Sequence, residues 1–289
     1  MAHKKKIKSY YHLTKPGIVY GNLITAVAGF LFASHWSWDY GALVGLIIGV
    51  AMVIGGSCAL NNIIDKDIDA RMERTRSRAI VTGRISTREA LIFGSVLLIG
   101  GSFILAMTTN TLTMLVAWIG AIIYVVIYGW AKRITVYGTL IGSLSGAMPL
   151  LGGYTAVKDH IGLAGIILVF ILVCWQMAHF YAIALYRKKD YQAANLPIWS
   201  VVKGDWSTQV QVMTFIALYS VFLVSLFVLG YVGYSYLATA LIIGLAWFWQ
   251  SIISIDKLNS TAWGKKVFKS SLIVIVVTSL MLAFGPILP

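Results

Sequence analysis

Long apolar runs alternate with short polar, mostly basic stretches along the whole chain. Nine runs are long enough to cross a hydrocarbon core of about 30 Å as helices. They span 17–36, 41–64, 89–108, 111–130, 136–157, 161–185, 209–230, 233–254 and 268–287. The connections at 108–111 and 230–233 leave room only for tight hairpins. No stretch rich in Pro, Gly or Ser divides the chain. The pattern predicts an all-α, polytopic helical bundle, a single integral membrane domain over 1–289, with 1–15 as a basic cytoplasmic segment.

Charge supports this reading. Hydrophobic residues make up 59% of the chain and charged ones 11%, whereas about a quarter of an ordinary soluble domain is charged. With the N-terminus inside, every one of the 23 basic residues except Lys158 falls on the inner side of the nine spans. Such sorting is the positive-inside pattern. It puts the C-terminus outside and makes the net charge of +13 a topological signal rather than a nucleic-acid footprint. The segment from Ala2 to Lys15 is basic and polar with no cleavage site, so the first span is expected to act as an uncleaved insertion signal. Trp36, Trp38 and Tyr40 are expected as interface anchors at the outer end of the first hairpin. Small residues every four positions at Gly17/Gly21, Gly41/Gly45/Gly49 and Gly138/Gly142/Gly146 predict close helix packing. Cys58 and Cys174 lie inside spans without metal or redox spacing, as small core residues.

Of the ten acidic residues, three fall within Asp65-Lys-Asp67-Ile-Asp69 at the inner end of the second span. On a helix, Asn61, Asp65 and Asp69 share one face. Crowded carboxylates at a membrane boundary fit a hard divalent cation such as Mg²⁺, with oxygen ligands and a phosphate partner; a solvated charged helix end is the simpler alternative. The following run holds Arg71, Arg74, Arg76 and Arg78, and guanidinium groups hold phosphate oxygens bidentately. Those arginines could equally meet anionic lipid headgroups. Two further features fall on the same side: Tyr128-x-x-x-Lys132-Arg133 at the end of the fourth span, and His179 through Tyr186, Arg187 and Asp190 at the end of the sixth. Tyr186 and Asp190 are expected to share a face at i, i+4, as a second acidic centre. His179 lies nearly two turns deeper, where an ionisable group is a functional candidate and a buried structural histidine is the alternative. Tyr124, Tyr128, Trp175, Phe180 and Tyr181 could together wall an apolar chamber. The combination describes a diphosphate–Mg²⁺ pocket opening into that chamber, with basic groups stabilising a leaving diphosphate and water kept from a carbocation.

The motif Asn61-x-x-x-Asp65-x-x-x-Asp69 with Arg74-Thr-Arg76-Ser-Arg78, and Tyr128-x-x-x-Lys132-x-x-Thr135-x-x-Gly138, resembles the UbiA superfamily of intramembrane prenyltransferases. Within it, Thr14-Lys15-Pro16-Gly17, Tyr137 through Pro149, Trp175-Gln-Met-x-His179, and Asp190 through Gly204 resemble the branch that farnesylates protohaem. The resemblance spans about 12–285 and implies nine helices around an active site facing the cytoplasm of a bacterial inner membrane. It implies transfer of the farnesyl group of farnesyl diphosphate to a vinyl group of haem B, with water, giving haem O. Haem B is thus a substrate rather than a cofactor. The carry-over makes Asn61, Asp65 and Asp69 the holders of Mg²⁺ and diphosphate, with Asp190 as a further metal ligand. Asp65, Asp69, Lys132 and Arg133 would be catalytic, and Arg74, Arg78, Tyr128, His179, Tyr186 and Arg187 substrate-binding. Many members carry Asp-x-x-x-Asp at the second motif, where this chain has Tyr186 and Asp190. A terminal oxidase or another haem-modifying enzyme is a candidate partner. The alternative activities are prenylation of an aromatic quinone precursor and non-catalytic transport.

Overall fold

The computed structural model describes residues 2–37 and 39–289, so the expectation for Trp38 lies outside the described residues, as do the side chains of Lys4 and Lys5. Among the described residues, nine helices are long and apolar enough to cross a membrane. The protein is a multi-pass, all-helical membrane protein.

The N-terminal segment forms a helix, α1 (Ala2–Leu13), that the basic composition had not suggested. Its Leu13 packs with Ala59, Ile80, Ile85 and Ala90, and Asn62 donates to Leu13 O at 2.9 Å. The first span, α2 (Pro16–Ser34), starts with Pro at its first position, where the missing N–H costs nothing. Asp39 accepts from two backbone N–H groups to start α3 (Tyr40–Ile64), and the short α4 (Lys66–Arg71) follows at once. A Ser86/Glu89 capping box opens α5 (Thr87–Thr108), and Asn110 caps α6 (Thr111–Ile122). The fourth span continues through a π-helical turn, Ile123–Ile127, into α7 (Tyr128–Ile134). Then come α8 (Gly138–Lys158), α9 (Gly162–Tyr186), the short α10 (Lys188–Ala193) and α11 (Trp199–Val202), α12 (Asp205–Val228), α13 (Tyr234–Ile253) and α14 (Ser260–Phe284).

The outward faces of these helices are apolar: Val96, Ile99, Phe103 and Met107 on α5, and Ile242, Leu245 and Trp249 on α13, are all more than three-fifths exposed. A lipid-facing surface requires this, because the helices already satisfy their own backbone groups. Inside, glycines bring two pairs of helices into close contact. A Cβ on Gly56 would lie 2.6 Å from Gly94 O, and one on Gly101 2.7 Å from Gly49 O, so α3 and α5 touch backbone to backbone. The crossing of α2 and α8 is equally tight, since a Cβ on Gly153 would fall on Ala26 O. Trp36 turns inward rather than out to the interface: its indole donates to Ala283 O at 2.6 Å and its ring rests on Phe284. Tyr40 is exposed.

Candidate active site

The end of α3 builds the polar half of the site. At Asp65 the backbone leaves helical geometry (φ −89°, ψ 4°), yet its N–H still reaches Asn61 O at 2.9 Å, and Asp69 N–H reaches Asp65 O at 2.8 Å. The four-residue register therefore survives the break. Asn61, Asp65 and Asp69 are all buried, at 1%, 6% and 2% exposure.

Each has a basic partner from a different element. Lys132 of α7 sits 2.5 Å from Asp65 Oδ2 and above the Tyr128 ring at 4.8 Å. Arg78 donates to Asp69 Oδ2 at 2.5 Å and to Asn62 Oδ1 at 3.2 Å. Lys15, just before α2 and with a left-handed backbone (φ 52°), donates to Asn61 Oδ1 at 2.7 Å and to the Tyr124 hydroxyl at 3.2 Å. A non-glycine residue in that region stores strain, which clusters at functional sites. Burial holds the Lys15 ammonium down to about 8, with Arg78 and Lys132 pushing the same way and Asp65 against them. Lys15 is a site residue that sequence reasoning missed: it stood inside the Thr14-Lys15-Pro16-Gly17 motif but was given no role there.

Within this cluster lie two of the four buried side-chain polar atoms that lack a partner among the described residues: Asp65 Oδ1 and Asn61 Nδ2. Buried polar atoms are almost always hydrogen-bonded, and an unmet one is costly. An anionic oxygen beside an amide N–H₂ suits a cation together with an oxygen-rich ligand. Among the described residues, no three His, Cys, Asp or Glu side chains gather as a metal-binding group, so any ion here would depend on the Asn61 amide and on oxygens brought by a ligand.

Arg133 is placed differently from the expected phosphate contact. It grips Asp67 with two bonds of 2.8 Å and the carbonyl of Ile64 at 2.6 Å. Those bonds hold the Asp67 carboxyl down to about 2, and they brace α7 against α4. At the second motif, α9 stops at Tyr186 and Arg187 leaves helical geometry (φ −112°, ψ 23°). Asp190 N–H bonds three residues back, to Arg187 O at 3.0 Å. The i, i+4 face expected for Tyr186 and Asp190 is therefore not formed. Instead, the Tyr186 ring stacks on Phe268 of α14, with Arg187 and Lys265 over its faces. The two inner loops nevertheless meet: Ile68 and Met72 pack on Ala194 and Leu196, with Tyr191 and Ile198 alongside. Burial pushes the Tyr191 hydroxyl up, while Arg74 and Arg187 pull it down and Asp190 adds to the rise. Arg74, Arg187 and Asp190 are thus near enough to act on Tyr191.

Below the polar cluster lies an apolar cavity of about 340 Å³. Its walls include Ser57 and Cys58 of α3, Tyr124, Gly142, Gly146 and Pro149 of α8, and Trp175, Gln176, His179 and Phe180 of α9. The π-helical turn carries Tyr124 and leads straight to Tyr128, whose ring stacks on it at 5.9 Å. Such turns are rare and often functional. Tyr124 donates to Asn61 Oδ1 at 3.2 Å, so it joins cavity and acidic cluster. The expected aromatic wall is formed by Tyr124, Trp175 and Phe180, whereas Tyr181 is core and packs on Trp199 and Phe215. Gly17 and Gly21 do not serve close packing: they line the cavity, and a Cβ on either would meet nothing within 4 Å. A smaller pocket of about 240 Å³ is lined by His12, Asn62, Asp69, Arg78 and Arg84.

Comparisons bear on this geometry. The profile of the UbiA prenyltransferase family matches residues 22–273. Over 277 residues the chain is 44% identical to a protoheme IX farnesyltransferase of Aliivibrio salmonicida (strain LFI1238), covering 95% of this chain and 96% of that one. It is 43% identical over 278 residues to the enzyme of the same name from Yersinia pseudotuberculosis serotype O:1b (strain IP 31758), covering 96% and 94%. Among solved structures, a digeranylgeranylglyceryl phosphate synthase superposes with a TM-score of 0.81 at 19% identity, covering 98% and 99%. A UbiA homolog from Archaeoglobus fulgidus bound to GPP and Mg²⁺ superposes with a TM-score of 0.71 at 15% identity, covering 95% and 99%. At such identities these two speak for the fold alone.

Proposed function

The chain belongs to the UbiA prenyltransferase family, and on that footing we propose that it transfers the farnesyl group of farnesyl diphosphate to a vinyl group of haem B, giving haem O and diphosphate. The observation that carries this reading is the junction at Tyr124, which lines the apolar cavity and bonds to Asn61, beside the buried Asp65 carboxylate with its unpartnered oxygen. Relatives named for protoheme, more than 40% identical over almost the full length, favour haem B over a phenolic acceptor.

Asn61, Asp65 and Asp69 would hold Mg²⁺ together with diphosphate oxygens, and Asp190 would contribute from the second loop. The free Asp65 oxygen fits a hard cation. When bound, the ion neutralises charge on the leaving group. Lys132 and Lys15, already aimed at the cluster, and Arg74, Arg78 and Arg187 would bind phosphate oxygens, with Tyr128 beneath Lys132. As the C1–O bond of the farnesyl ester breaks, its electron pair leaves on diphosphate, and these ammonium and guanidinium groups strengthen their hold as that charge grows. The vinyl π pair of haem B bonds to C1. The resulting cation beside the macrocycle takes the oxygen of water and one proton is released, so the product carries a hydroxyl. The apolar cavity walls keep water from the allylic cation until the new carbon–carbon bond exists. His179 would hold the haem, and Tyr186, stacked on α14, would border it.

The protein would lie in the inner membrane of a bacterium, as one membrane domain with its N-terminus and active site inside and its C-terminus outside. The sorting of basic residues supports that orientation. Mass spectrometry of pigment extracted after incubating purified protein with haem B, farnesyl diphosphate and Mg²⁺ tests the reaction. Haem O from the wild type and none from Asp65→Asn is expected. Prenylation of 4-hydroxybenzoate in place of haem B would keep the site and replace the acceptor.

A further inference from the structure

The hydrogens around His179 can be counted. Its Nδ1 lies 2.6 Å from Ser271 Oγ of α14, and that hydroxyl lies 2.6 Å from the backbone carbonyl of Phe268. A carbonyl oxygen only accepts, and a serine hydroxyl has one hydrogen to give. With that hydrogen on Phe268 O, a lone pair of Oγ faces Nδ1, and the hydrogen between them must come from the imidazole. The reverse assignment would set two oxygen lone pairs against each other at 2.6 Å. No acidic residue lines the cavity among the described residues, so nothing there favours an imidazolium. A neutral ring protonated on Nδ1 carries its free lone pair on Nε2.

Nε2 has no hydrogen-bond partner among the described residues, and His179 lines the cavity. The ring is clamped in place. Trp175 stacks on it at 4.8 Å with 21° between planes, and Phe268 packs at 5.1 Å. The Trp175 indole N–H is itself held by Ser271 O at 3.0 Å. One serine thus fixes two residues a turn apart on α9, one through its hydroxyl and one through its carbonyl.

We infer that Ser271 is a positioning residue, which fixes His179 as the Nδ1–H tautomer and so presents Nε2 to the cavity as a ligand for the iron of haem B. This rests on the haem reading above. Iron- and zinc-bound histidines commonly donate their other N–H to a neighbouring acceptor, and loss of that acceptor weakens metal binding about 10- to 100-fold.

The tautomer can be read without haem or activity. The chain has five histidines, so ¹⁵N-histidine NMR of the detergent-purified protein, with His179→Gln to assign the signal, reports it directly. The expected wild-type signal is protonated Nδ1 with bare Nε2, and Ser271→Ala should lose that preference. A wild-type Nε2–H ring, or a signal unmoved by Ser271→Ala, overturns the inference. A second readout is titration with ferric haem B followed by absorption. Wild type should give a nitrogen-ligated spectrum, and Ser271→Ala about tenfold weaker binding with that signature lost. Haem bound with identical ligation by both proteins would also overturn it. A wild-type protein that makes no haem O would instead remove the functional reading and leave the tautomer result standing.

Discussion

Asp65 and Lys132 form a buried ion pair, with side chains 8% and 7% exposed. Removing one partner of such a pair leaves a charge without compensation, at a cost of about 3–5 kcal/mol. Lys132→Met should therefore lower the thermal midpoint in detergent as well as abolish haem O formation, whereas Asp65→Asn, which keeps a polar group of the same shape, should lose activity with a smaller loss of stability. Equal stability losses in the two would contradict the burial argument. Arg133 gives the opposite expectation. Its bidentate pair with Asp67 is partly exposed (30% and 53%), and pairs of that kind contribute about 0–1 kcal/mol. Arg133→Ala should cost only a few-fold in kcat/KM, through a loosened α7–α4 brace, and a loss as deep as that of Lys132→Met would put Arg133 on the diphosphate. The alignment of Asn61, Asp65 and Asp69 was legible because it depends on spacing alone. Of their partners, Lys132 and Arg78 were named from their motifs and Lys15 was not. Which acid each would meet was not legible, because the three come from separate stretches of the chain, and Arg133 was taken up by Asp67, an acid inside the same motif. Ser271 had no local signal at all, being one serine of a pair between Lys269 and an apolar stretch.

Among elements, the glycines of one helix pair serve two uses. The α2–α8 crossing has no room for a side chain at Gly153, while Gly21, on the same helix pair but facing the cavity, has open space. Overpacking a close contact costs about 1–3 kcal/mol and often more. Gly153→Leu should therefore fail to accumulate or elute as aggregate. Gly21→Leu should elute as wild type while its haem O yield falls at least tenfold, because the new side chain occupies substrate space. A fully active Gly21→Leu would mean that this wall of the cavity is not used. Sequence spacing predicted close packing at Gly17/Gly21, where the cavity lies, and made no prediction for Gly153, since it reports which helix face is small but not what lies opposite. Span positions were legible to within a few residues, with one larger exception. The last span begins at Ser260 rather than 268, because Lys265 and Lys266 belong to its first turns, where an apolar-run criterion rejects them. The π-helical turn at Ile123–Ile127 and the break at Arg187 were invisible for a related reason. Both are set by what neighbouring helices demand of a backbone whose side chains are uniformly apolar or basic.

For the molecule as a whole, the basic residues make the strongest statement about orientation, and it is a statement that can be tested site by site. Nine spans put the two termini on opposite sides, and only Lys158 among the basic residues then falls outside. Lys158 ends α8 and Lys203 follows α11, and both are exposed. The spans between them number one, α9, so the two positions must face opposite sides of the membrane whichever way the bundle is inserted. Orientation then follows from energetics. Inner placement of all the other basic residues avoids moving clustered ammonium and guanidinium groups across the bilayer during insertion. The native Cys58 and Cys174 are both buried, so Lys158→Cys and Lys203→Cys would report with little background. In intact spheroplasts a membrane-impermeant maleimide should label position 158 at once and position 203 only after permeabilisation. The reverse pattern would invert the bundle and put the Asp65 cluster on the outer face, away from a cytoplasmic supply of farnesyl diphosphate. Equal labelling of both positions in intact cells would break the nine-span count itself, because no odd number of crossings between them could produce it.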